Sequence, residues 1–111
     1  MKSDKQQKHQ SVKMKIEGEF TIYQAAEIKP KLLSLLAQGN LIEIDLSSVS
    51  EIDTAGIQLL LLAKKNAVAQ KKELHLVAHS PAVLQVFELL DLATYFGDPL
   101  LYPFRSESPS Q

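Results

Sequence analysis

The sequence predicts an α/β domain whose sheet carries its helices mainly on one face. Two observations predict it. Segments alternating apolar with polar residues take turns with segments whose apolar residues fall at helical spacing, in the order strand, helix, strand, helix, strand, helix. Each clear strand also alternates, whereas a strand between two helical layers reads as one continuous apolar run. That excludes a doubly wound sheet of the flavodoxin or receiver kind. A receiver would also place an acidic cluster after its first strand, and Gly18-Glu19 is not one.

Val12, Met14 and Ile16 alternate with Lys13, Lys15 and Glu17 in the first strand. Gly18 breaks it, and Phe20 and Ile22 either continue it or form a second short strand. Thr21 to Gln24 fits a capping box, with Thr21 as N-cap and Gln24 reaching back. Ala25, Ile28, Leu32, Leu35 and Leu36 then share one helical face. Pro30 interrupts this pattern and predicts a kink or a late helix start; Gly39-Asn40 supplies a stop.

Ile42, Ile44 and Leu46 mark the next strand, and Ser47 to Thr54 supplies turn and capping chemistry before a helix from about Ala55 to Gln70. The Lys71-Lys72 pair suits that helix's C-terminus. Leu74, Leu76 and Ala78 alternate with Glu73, His75 and Val77 in a third strand. Ser80-Pro81 is a cap followed by proline at the first helical position, and Val83, Leu84, Phe87 and Leu90 carry the last helix onto the core. Gly97-Asp98-Pro99 reads as a turn, with Leu100 to Tyr102 a short edge strand.

With 111 residues, the chain has room for one domain. Residues 1–10 and 105–111 are polar and read as a disordered lead-in and tail around a domain at 11–104. Forty-five per cent hydrophobic and 23% charged residues suit a water-soluble core. A net charge of −1 gives no footprint for nucleic acid or an anionic membrane. There is no cysteine, hence no disulfide, thiol chemistry or cysteine-held metal. MKSDKQQKHQ has no apolar region of the signal-peptide type. The apolar run Leu59–Ala63 meets Lys64 long before it could cross a bilayer. These features together predict a cytoplasmic protein.

The functional candidate is Asp53-Thr54-Ala55-Gly56, at the start of the second helix. Free N–H groups and the positive end of the helix dipole collect there, which favours a phosphate on a neighbouring side chain. Gly56 admits a close backbone. Asp53 and Thr54 also read simply as caps, each stabilising the helix by about 1 kcal/mol. Along the helix Ile57, Leu60, Leu61, Ala67 and Val68 point one way, with Lys64 reaching past the core edge on its stem. Gln58, Lys65, Asn66 and Ala69 point the other way, with Leu62 among them and Leu59 at their flank. Gln58, Leu59 and Leu62 therefore form a small docking patch beside the helix start.

Catalytic constellations are absent from the sequence. His75 and His79 share a strand face by spacing but stand too far apart to chelate, so no metal is expected. No glycine-rich phosphate loop is present, and no cofactor is expected. Ser80 lacks a nucleophile elbow, and nothing marks Asp45 and Asp53 as acid and base.

The strings LIEIDLSSVSEIDTAGIQLLLLAKKNA and ELHLVAHSPAVLQVFELLDL resemble the STAS domain of bacterial anti-sigma factor antagonists, over roughly residues 11–102. The resemblance implies a mixed sheet of four to five strands. It also implies a non-enzymatic regulator that binds an anti-sigma factor or serine/threonine kinase-type regulator in partner switching, as a monomer or weak dimer. In such proteins the partner phosphorylates the serine just before the helix-start glycine. Ala55 occupies that position here, so Thr54 is the phosphorylation candidate. Asp53, Thr54, Ala55, Gly56, Gln58, Leu59 and Leu62 are the partner-binding candidates. D-T-A-G is also similar to the STAS subunit of phospholipid-transport ABC systems, which implies docking on an ATPase as the alternative.

Overall fold

A computed structural model describes residues 11–92 and 96–97. Six elements follow one another: β1 (Ser11–Phe20), α1 (Ile22–Leu36), β2 (Leu41–Ile52), α2 (Thr54–Ala69), β3 (Glu73–His79) and α3 (Pro81–Leu90). The described strands form one sheet in the order β1-β2-β3, with both pairings parallel. Consecutive strands lie side by side, so crossovers of the usual right hand place α1 and α2 on the same face. Ile16, Phe20, Ile42, Ile44, Leu46, Leu74 and Leu76 face that layer and enter one core with Leu32, Leu60, Ala63, Val83 and Phe87 of the helices.

The opposite face keeps the polar half of the alternation. Lys13, Glu43 and His75 stand in one cross-strand row, and Lys13 Nζ lies 3.7 Å from Glu43. Asp45 sits in the next row beside Lys15. Hydrogen bonds from Ser47, helped by the nearby lysines, hold the Asp45 carboxyl below its ordinary range. The polar face is what the alternation predicts, although parallel strands are more often covered on both sides; the described sheet has three parallel strands where a mixed sheet of four to five was expected. No antiparallel strand that would make the sheet mixed is present among the described residues. The expected edge strand Leu100–Tyr102, the turn at Gly97-Asp98-Pro99 beyond Gly97 and the two polar ends lie outside them.

Several local expectations change. Phe20 ends β1 and Ile22 starts α1, so there is no separate second strand. Pro30 neither delays nor ends α1, which runs from Ile22 to Leu36. The serine-rich run after Leu46 is not a turn: β2 continues to Ile52, paired with β1 through Glu17↔Ser48, Gly18↔Val49 and Phe20↔Ile52. In β3 the alternation slips at Ala78, which has a left-handed φ of 68° and stands where the register with β2 shifts. This bulge turns Ala78 off the core and sends His79 in, 3% exposed and edge-on to Phe87. His75 and His79 therefore do not share a face. In α2, Val68 is 62% exposed instead of core-facing, and Leu61 is only half-buried. Lys64 does reach across the core edge, donating to the Leu74 carbonyl at 3.3 Å.

Candidate functional site: a groove between two joined helix starts

One residue, Asp53, separates β2 from α2. It is the N-cap of α2, with extended backbone, and its Oδ1 accepts from the N–H groups of Ala55 at 2.9 Å and Gly56 at 3.2 Å. Its Oδ2 reaches a different helix, accepting from the Ile22 N–H at 3.2 Å. Ile22 is the first residue of α1, so one carboxylate caps two helices and ties their starts together. A carboxylate suits both, since each helix offers free N–H groups and the positive end of its dipole.

The expected capping box does not form: the Thr21 hydroxyl donates to Gln24 Oε1 at 2.8 Å and accepts no backbone N–H. Asp53 holds the Ile22 N–H at the first helical position, whereas a capping Thr21 would accept from Tyr23 or Gln24 one or two residues further on. The same carboxylate alters the reading of the α2 start as an anion site. The N–H groups of Ala55 and Gly56 are occupied, so a phosphate on Thr54 would stand beside a carboxylate instead of a free cradle. It would project its charge outward.

Gly56 is buried and admits the close backbone foreseen for it. A Cβ there would meet the Phe20 carbonyl oxygen at 2.5 Å and the Ile52 side chain at 3.0 Å. Gly56 thus sets the distance between α2 and the end of β1 and offers no surface of its own. Thr54 is exposed, and Asp53 and Ala55 are half-covered. Gln58 is exposed and Leu62 half-buried, as expected of a patch, while Leu59 is only 5% exposed.

Leu59 is covered because α1 lies alongside. The two helices bound a groove of about 430 Å³. One wall is the stripe Ala55, Gln58, Leu59 and Leu62, at i, i+3, i+4 and i+7; the other is Ile22, Ala25, Ala26 and Lys29, at the same spacing. Small residues on the α1 side leave the trough open, and Ile22 remains 59% exposed at its head. A second groove of about 510 Å³ lies across the Gln58–Leu62 ridge, bounded by Leu61, Lys65, Leu90 and Leu92. The α1 wall escaped the sequence reading, which took Ala25 for the core face only. The signal was present as a second apolar stripe starting at Ile22.

No cluster of three or more metal-ligating side chains exists among the described residues. No described helix is long and apolar enough to cross a membrane. What the arrangement offers is a largely apolar trough, with the exposed Thr54 one residue before Ala55 on its wall.

Solved structures share the fold. An anti-sigma factor antagonist from Mycobacterium paratuberculosis superposes with a TM-score of 0.71 at 24% identity, over 86% of this chain and 80% of that one. The unphosphorylated anti-sigma factor antagonist SpoIIAA gives 0.63 at 19% identity, over 82% and 77%. A sulfate transporter family protein from Wolinella succinogenes gives 0.66 at 18% identity, over 78% and 71%. At these identities the likeness speaks for the fold alone. A family model described as "Mlab, STAS domain" matches residues 3–102, nearly the full length, and so the chain belongs to the STAS domain family.

Proposed function

We propose that this protein is a non-enzymatic, cytoplasmic docking module of the anti-sigma factor antagonist type. It binds an anti-sigma factor or serine/threonine kinase-type regulator through the α1–α2 groove and releases it when Thr54 is phosphorylated. The observation that carries this reading is the joined pair of helix starts, where an apolar trough opens beside an exposed hydroxyl. The antagonist fold of two structural neighbours supports the partner class. A phosphate on Thr54 would add nearly two negative charges next to Asp53 at the mouth of the trough, a desolvation and repulsion penalty for any docked chain. Thr54 takes the modifying role because Ala55 has no hydroxyl.

The test is capture of the cognate regulator by wild type and by Thr54→Glu, with affinity by calorimetry. Loss of binding by about tenfold or more is expected; an unchanged affinity places the interface elsewhere. Incubation with the cognate kinase and ATP should yield a phosphopeptide spanning Thr54. Label confined to Ser47, Ser48 or Ser50 overturns the assignment.

A second reading has its own support, the family model's description as an Mlab-type STAS domain. In it the same groove docks on the ATPase subunit of a phospholipid-transport ABC system, and Thr54 is a contact that carries no phosphate. Parallel titrations against a purified kinase-type regulator and a purified ATPase subunit separate the two.

A further inference from the structure

The two grooves flank one ridge, Gln58 and Leu62, and each has a lysine on its wall: Lys29 on the α1 side, and Lys65 on the far side, where Asp91 also lines the groove. Both lysines are exposed. Among the described residues neither makes an ion pair, while Lys13 and Lys15 on the opposite face of the sheet both do. Apart from Lys29 and Gln58 the trough between α1 and α2 is lined by apolar residues, and no acidic side chain lines it. From Ile22 to Lys29 the α1 wall runs about 10 Å, the rise of roughly two helical turns. An apolar channel two turns long, with Lys29 on its wall and Lys65 across the ridge, suits an occupant with one apolar face and acidic flanks.

We propose that the partner segment docking on this ridge is an acidic amphipathic helix. Apolar residues at i, i+3/i+4 and i+7 fill the α1–α2 trough, and its glutamates or aspartates meet Lys29 and Lys65. This rests on the protein-docking reading above and names the chemistry of the partner's contact segment. It also gives the negative charge at Thr54 a direct effect, since phosphate would repel the acidic helix as well as wet the trough. A rim pairing of this kind governs choice of partner and association rate more than raw affinity.

The probe is a pair of designed helical peptides of roughly 14 residues, alike in their leucines, one carrying glutamates and the other lysines on its flanks. Each is titrated into the 15N-labelled full chain and followed by amide chemical shifts. The acidic peptide should bind about tenfold tighter, move Ile22, Ala26, Leu59 and Leu62, and weaken steeply as salt is raised. Lys29→Glu with Lys65→Glu should reverse the preference, and circular dichroism would verify that this surface variant folds. Equal binding of both peptides, shifts confined to other surfaces, or an unreversed preference overturns the proposal. Shifts at the ridge that grow with protein concentration before any peptide is added also overturn it, in favour of a second copy offering its exposed Leu89 beside Glu88. The cognate regulator distinguishes the two readings. Unchanged capture by the double charge reversal, together with loss on Thr54→Glu, leaves the docking function standing and removes only the acidic helix.

Discussion

The chain makes the same turn twice. At the end of β2, Ile52-Asp53-Thr54 passes from strand to helix through one cap residue; at the end of β3, His79-Ser80-Pro81 does the same. Position by position the two helix starts correspond: the cap accepts from the N–H three residues on, Gly56 in one case and Val83 in the other, both at 3.2 Å. Yet Ser80 is 3% exposed and caps α3 alone, with a proline after it. Asp53 is half-exposed, caps α1 as well as α2, and is followed by an exposed threonine. Equivalent backbone geometry therefore yields a sealed joint at one end and an open surface at the other. The difference comes from what lies next to the turn: a second helix start at α2, core side chains such as Phe87 at α3.

The third position of each helix makes the sharpest contrast. Val83 is wholly buried with its side chain accommodated, whereas Gly56 has the Phe20 carbonyl where a Cβ would go. Gly56→Ala should lower unfolding free energy by about 3 kcal/mol, since the obstacle is backbone and cannot swing aside. Val83→Ala leaves a cavity instead and should lose about 2 kcal/mol. Urea titration checks both. If Gly56→Ala proves as stable as wild type, the two starts are not as differently packed as described.

The caps come next. Asp53→Ala removes the acceptor for three N–H groups on two helices, and Ser80→Ala removes it for one. About 2 kcal/mol is expected for the first and about 1 kcal/mol for the second. Hydrogen exchange adds a sign that stability alone would miss: Asp53→Ala should speed exchange of the Ile22 amide, 31 residues away, while Ser80→Ala leaves it unchanged.

The two turns were not equally legible in the sequence. Ser80-Pro81 is local chemistry, and local chemistry is what a cap signature records. That Asp53 caps α2 was readable for the same reason; that it also caps α1 was not, because Ile22 meets it only once β1 and β2 pair. The same non-local pairing turned Ser47–Ile52 from expected turn to strand, as partners decide strand formation more than residue type does. The helical stripes and the alternation placed most core positions, but Val68 of α2 and Leu90 of α3, both read as core-facing, are 62% and 54% exposed. The alternation could not foresee the bulge at Ala78, where a non-glycine residue takes a left-handed φ and reverses the period. Leu59 was assigned to the open patch because periodicity is blind to a neighbouring helix. Its burial converts a flat patch into a groove.

A smaller effect separates surface from scaffold. Thr54 and Pro81 hold the same first helical position, both exposed. Thr54→Glu should leave stability within about 0.5 kcal/mol, even adding a favourable helix-dipole contact that Asp53's charge offsets. Its expected effect is on partner affinity, about tenfold, near 1.4 kcal/mol. Pro81→Glu, away from the α1–α2 groove, should leave affinity as it is. Equal losses from both would mean that net charge, and not the open joint, governs docking.

The helix exits extend the contrast to its smallest scale. α2 leaves through Lys71, with φ 61°, and closes with bonds from the Lys71 N–H to Val68 and the Lys72 N–H to Ala67, the arrangement that glycine usually completes. α3 leaves through Asp91, with φ 55°. Aspartate tolerates the left-handed region better than lysine, because its short side chain bonds locally to the backbone. Lys71→Gly should therefore raise stability by about 0.5–1 kcal/mol, and Asp91→Gly by less. Thermal unfolding of both variants would show a larger gain at Lys71. An equal gain at the two exits would mean that backbone strain is shared evenly and that only the helix starts set the two turns apart.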